Sequence, residues 1–121
     1  MRGKKAADLF EQGYNCAQAV AVAYCDLMGV TEKQAAMMAS SFGGGFGRQR
    51  EVCGAVSGMC LVLGTLEGYY DPQDQQGKMD QYALVQKLCA MFREEAGSIL
   101  CRDILKTDDT SPKPQKRTPE Y

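Results

Sequence analysis

Apolar positions along the chain recur at three-and-four spacing almost everywhere and do not alternate in twos, which predicts an all-α chain. Ala6, Leu9, Phe10 and Gly13 mark a short first helix. Asn15 is a good N-cap for a second, which carries Ala17, Val20, Ala21, Tyr24 and Met28 on one face and ends near Gly29. Thr31 and Gln34 form a capping box for a third, which runs through Ala35 and Met38 and stops at Gly43-Gly44-Gly45. The stretch from about Glu51 to Glu67 has almost no polar face, so it predicts the central helix, buried on every side. Asp71 as cap with Pro72 at the first helical position opens a fifth helix ending at Gly97, with Tyr82, Val85, Cys89, Phe92 and Ala96 as its apolar seam. Ser98 caps a sixth, reaching about Lys106. From Thr107 onward three prolines and no apolar period predict an extended tail. The expectation is a compact bundle of about five to six helices around the apolar helix at about 51–67. Residues 1–106 form one domain and 107–121 a tail, with no internal repeat.

Composition narrows the chemistry. With 121 residues, folding buries roughly two-thirds of the unfolded surface, enough for a core without a disulfide or metal. The 14 basic and 15 acidic residues leave a net charge of −1, which gives no electrostatic case for nucleic-acid binding. Histidine is absent, which excludes a Ser-His-Asp triad, a Cys-His dyad and a histidine-ligated zinc. Met1 to Lys5 resembles a basic leader start, but Asp8, Glu11 and Gln12 interrupt the apolar region a leader needs. Val52 to Leu66 is too interrupted by Gly54, Ser57, Gly58 and Gly64 to span a membrane. The expectation is a cytoplasmic protein whose thiols are reduced at rest.

Six cysteines then become the candidate chemistry. A thiolate at a helix start is favoured by unpaired N–H groups and the positive end of the dipole. Cys16 follows the Asn15 cap, Cys53 lies in the expected first turn of the fourth helix, and Cys101 stands three residues after Ser98. Cys25, Cys60 and Cys89 fall mid-helix or late and read as small core hydrophobes. Spacing limits cooperation further. Cys16 and Cys25, at about 100° per residue, lie on opposite faces of one helix, and Cys53 and Cys60 share a face but lie about 10.5 Å apart. No C-x-x-C occurs, so joint chemistry has to come from different helices.

Gly43-Gly44-Gly45-Phe46-Gly47 lacks the ending of a phosphate loop and reads first as a helix-breaking turn. Its functional reading sets Arg48 and Arg50 beside Cys53, as positive charge for a thiolate or an anion. Gly54 and Gly58 make a G-x-x-x-G pair that predicts close helix approach and leaves space near Cys53. Gly44, Gly45, Arg48, Gly54 and Gly58 are therefore the candidate cofactor-binding positions. The methionines, including Met28, Met37, Met38, Met59, Met79 and Met91, read as core filler.

Cys53-Gly54-Ala55-Val56-Ser57-Gly58, together with Asn15-Cys16-Ala17-Gln18-Ala19, Phe42-Gly43-Gly44-Gly45 and Leu100-Cys101-Arg102, resembles the C_GCAxxG_C_C family of redox-active proteins over about Gly13 to Leu105. The resemblance implies a small helical, cytoplasmic protein with four family cysteines. Three carry over to Cys16, Cys53 and Cys101, the three that the helix-start argument selects. The family's fourth lies beyond the last helix, where this sequence has none. Three readings follow: dithiol/disulfide cycling by two of Cys16, Cys53 and Cys101; a metal or iron–sulfur cluster held by those three thiolates; and a helical interaction protein with structural cysteines. A homodimer is expected, to cover the apolar second and fourth helices, Val22 and Cys25 lying off the second helix's main face. A redox partner of unknown identity completes the picture.

Overall fold

In the computed structural model, residues 2–105 are described, and the tail expected from Thr107 lies outside the described residues. The elements are α1 (Arg2–Glu11), α2 (Cys16–Ala23), α3 (Cys25–Met28), α4 (Glu32–Ala39), a 3₁₀ turn (Ser40–Phe42), α5 (Gly43–Phe46), α6 (Gly54–Glu67), α7 (Gln75–Ala96) and α8 (Cys101–Leu105). The fold is all-α and compact.

Local cap chemistry sets the first half of the chain. The Thr31 side chain accepts from Gln34 N–H at 3.1 Å while the Gln34 side chain accepts from Thr31 N–H at 3.0 Å. Asn15 makes a second box with Gln18 and donates from Nδ2 to Ser40 O at 3.2 Å, tying the start of α2 to the end of α4. The expected single second helix is interrupted at Tyr24, whose φ is −111° and whose N–H turns to Ala21 O. Cys25 therefore begins a separate turn, buried and closed by left-handed Gly29, rather than lying mid-helix.

The innermost element is α2, not the segment 51–67. Ala17, Ala21, Val22 and Ala23 are fully buried, with α1, α4 and α6 against them. Val22 and Cys25, expected to need a partner, are covered within the chain itself. The apolar helix α6 starts three residues late and buries Gly54, Val56, Gly58 and Val62 only, leaving Leu66 exposed. Its Gly54 and Gly58 meet α2 directly. A Cβ on Gly58 would lie 3.0 Å from Ala17 O and from Val20 Cβ, so the small-residue pair does bring two backbones together.

The last two helices also begin later than expected. Asp74 rather than Asp71 caps α7, accepting from Gly77 N–H at 2.8 Å, while Asp71 closes the turn before it by accepting from Gln73 N–H at 2.9 Å. None of the 22 residues of α7 is buried, and Met79, Tyr82 and Met91 are exposed. Met37 and Met38 are exposed as well, so of the methionines named above only Met28 is buried core. Ser98 accepts from Leu100 N–H at 3.0 Å and donates to Asp103 at 2.9 Å, and α8 starts at Cys101. The end expected at Lys106 lies outside the described residues.

Candidate functional site

Three local decisions bring the helix starts together. The Gly54 position lies against α2, where a Cβ would come within 3.0 Å of Ala17 N and 3.1 Å of Cys16 Cβ, so the beginnings of α2 and α6 lie side by side. Cys53 is the residue that precedes α6, in the N-cap position. Residues 51–53 then pair antiparallel with 99–101 around Val52 and Leu100: Cys53 N–H donates to Ile99 O and Cys101 N–H to Glu51 O, both at 2.6 Å. This pairing sets Cys53 and Cys101 diagonally on one face, where Cα atoms are typically about 7–8 Å apart.

The glycine segment closes the site as a left-handed turn. Gly44, Gly45, Phe46, Gly47 and Arg48 all have φ between 65° and 75°, and Arg48 N–H bonds Gly43 O at 3.1 Å. Arg50 is left-handed too, at 62°. Three of these six are not glycine, and each such residue costs roughly 1–2 kcal/mol. The turn is held in place by Arg50 N–H to Gly44 O and Glu51 N–H to Gly45 O, at 3.2 and 2.9 Å. These bonds, with the pairing around Val52, explain why the expected helix start at Glu51 is not helical.

The result is a cavity of about 80 Å³ lined by Cys16, Gly44, Gly45, Cys53, Gly54 and Cys101, with Ile104 and Leu105 as apolar cover. Of the candidate positions, the three cysteines, Gly44, Gly45 and Gly54 line it. Gly58 instead serves helix contact, and Arg48 lies outside the lining, its Nε buried without a hydrogen-bond partner. Arg50 was expected beside Cys53. Its guanidinium, fully buried, donates to Cys101 Sγ at 3.5 Å. Arg102 returns over the same segment, donating to Arg50 O at 3.0 Å and pairing with Glu51 at the surface.

The Cys53 thiol departs from the helix-start expectation. Burial pushes it up from the ordinary value of 9.0, the N–H groups of Ala55 and Val56 pull it down by less, and neighbouring Cys101 adds a further upward push. Desolvation therefore outweighs the helix start. Cys53 should alkylate slowly at pH 7, with a rate still climbing at pH 9. Mass spectrometry of labelled native protein over a pH series measures this, and a plateau below pH 9 would contradict it.

Cys60 and Cys89, expected as core thiols, are half-buried and line a second space, an apolar groove of about 490 Å³ between α6 and α7. Sequence reasoning missed Ile104 and Leu105, and it set Arg50 beside Cys53 rather than on Cys101.

Such a site, with thiols gathered from three helix starts behind a glycine turn, defines a small cysteine-centred helical domain. Residues 14–120 match the family model described as "Putative redox-active protein (C_GCAxxG_C_C)", and the chain belongs to that family. Comparison with curated proteins and with solved structures gives no match. Among the described residues no helix is long and apolar enough to cross a membrane.

Proposed function

We propose that this chain is a thiol redox protein in which Cys53 and Cys101 cycle between dithiol and disulfide, with Cys16 as a third thiol of the same cavity. The observation that carries the reading is the shared cavity itself, with the buried Arg50 guanidinium aimed at one of its sulfurs. In the oxidising half of the cycle both thiols lose their protons, the Cys53–Cys101 S–S bond forms, and two electrons reduce a partner disulfide to two thiols. The diagonal placement lies at the edge of bridging range, so closure takes a small backbone shift.

A metal or iron–sulfur cluster would draw on the same three sulfurs. Among the described residues no group of three or more His, Cys, Asp or Glu side chains is set to hold a metal ion, which favours the dithiol reading. Metal content and colour of protein purified without oxygen separate the two. A cytoplasmic setting, where six free cysteines stay reduced at rest, fits the same reading.

Reduced protein titrated with glutathione disulfide and mapped by non-reducing peptide mass spectrometry is expected to yield a Cys53–Cys101 link. C53S and C101S should each abolish it, and C16S should retain it. Absence of any disulfide that includes Cys53 would overturn the reading.

The expected homodimer now rests on α7 rather than on α2, because α7 carries the uncovered apolar side chains Met79, Tyr82 and Met91. Light scattering on the reduced protein should return twice the chain mass, and a monomer at high concentration would refute it.

A further inference from the structure

We propose that Cys60 and Cys89 form a second dithiol site, independent of the cavity, whose substrate is a small disulfide and whose product is a cross-link from α6 to α7. The two thiols face one groove from opposite helices. On α6, Val56 and Cys60 are one turn apart, and on α7 so are Val85 and Cys89. All four line the groove, so each thiol stands on the apolar stripe that its own helix turns to the groove. Closing the groove to the roughly 8–10 Å between axes of packed helices would bring facing Cβ atoms towards the roughly 4 Å that a disulfide needs. Proximity is also felt electrostatically, since burial first and Cys89 second push the Cys60 thiol up. Nothing on α7 is buried, so the helix has freedom to close the remaining gap.

The site is separate from the first. Cys60 lies two turns beyond Cys53, about 10.5 Å along α6, outside bridging distance. The groove and the first cavity share no lining residue, although Val52 and Ile99 of the groove come from the paired segments that carry Cys53 and Cys101.

The exchange balances. The Cys89 thiolate attacks one sulfur of glutathione disulfide, whose S–S bond breaks, and one glutathione leaves as thiolate and takes up a proton. The Cys60 thiolate then attacks Cys89 Sγ in the mixed disulfide and expels the second glutathione. Two protein thiols are oxidised to one disulfide, and one glutathione disulfide is reduced to two thiols. The cross-link pins α7, otherwise the least covered helix, onto α6 across the groove.

The test treats reduced full-length protein with glutathione disulfide, maps linked peptides and follows amide exchange. The expected result is a Cys60–Cys89 peptide in the wild type and in C53S, with α7 amide exchange slowed about tenfold on oxidation. In C89S, Cys60 should end free or as a glutathione adduct, and the slowing should vanish. Should C53S fail to fold, the wild-type map decides alone. Recovery of Cys60 and Cys89 as free thiols or separate glutathione adducts after full oxidation of the wild type would overturn the proposal, whatever becomes of Cys53 and Cys101.

Discussion

Replacing Gly45 with alanine is expected to cost this domain about a third of a typical stability and to open the cysteine cavity. Two independent penalties fall on one methyl group. Gly45 has φ of 75°, where an L side chain costs roughly 1–2 kcal/mol. Its Cβ would also lie 2.6 Å from Cys101 Cβ, 2.7 Å from Arg50 Cα and 2.8 Å from Glu51 N. Two of those three atoms are backbone, in the segment that pairs with 99–101, so relief requires breaking the pairing that holds Cys101 in place. Overpacking of this kind typically costs about 1–3 kcal/mol. The sum, about 2–5 kcal/mol, is large against the roughly 5–15 kcal/mol that holds a domain folded. Gly47→Ala separates the two penalties. Gly47 is equally left-handed at 65°, but a Cβ there meets nothing nearer than Ser41 O at 3.7 Å, so it should lose the backbone share alone. Denaturant midpoints of the two variants measure the difference. Equal losses would mean that the contact with Cys101 and Arg50 carries no weight.

The contrast between Gly45 and Gly47 also marks where sequence reading stops. Both stand in a run that announces a helix break, and neither its hand nor its neighbours can be read from the letters. What was legible is what short-range chemistry decides. Thr31 with Gln34 closes its box because the partners are three residues apart, and Gly54 with Gly58 brings α6 onto α2 because two missing side chains on one face leave nothing else to fill the gap. The helix starts of Cys16 and Cys101 follow from their caps and turns. The charge of Arg50 near the cysteines was legible, but its burial and its partner Cys101 were not. They depend on pairing between 51–53 and 99–101, segments too short to show alternation. The same long-range pairing pulls Cys53 into apolar surroundings, which is why its thiol moves opposite to the direction that helix position alone predicts. The incomplete cover over α7 escaped notice for a related reason: the seam from Tyr82 to Ala96 has helical period, but period alone does not reveal whether another element reaches it.

Arg50 yields the second large effect. Substituting methionine, which keeps much of the side-chain length, is expected to make the Cys53–Cys101 disulfide harder to reduce. In the reduced protein the fully buried guanidinium donates to Cys101 Sγ at 3.5 Å, a bond that forming the disulfide weakens by drawing that sulfur towards Cys53. A hydrogen bond to a charged group contributes about 1.5–3 kcal/mol. Its loss raises the reduced form relative to the oxidised one, and for a two-electron couple about 1.4 kcal/mol corresponds to 30 mV. The reduction potential should therefore fall by about 30–60 mV, read from equilibration against glutathione buffers of known ratio. Arg50→Lys keeps a cation but loses the planar fork, and should fall between the two. The folded state need not change in proportion. Arg50's backbone holds the segment through its own N–H to Gly44 O and its carbonyl to Arg102, and these contacts survive either substitution. An unchanged potential in Arg50→Met, with Cys53 and Cys101 still linked on oxidation, would show that the guanidinium serves only to fill the space behind Cys101.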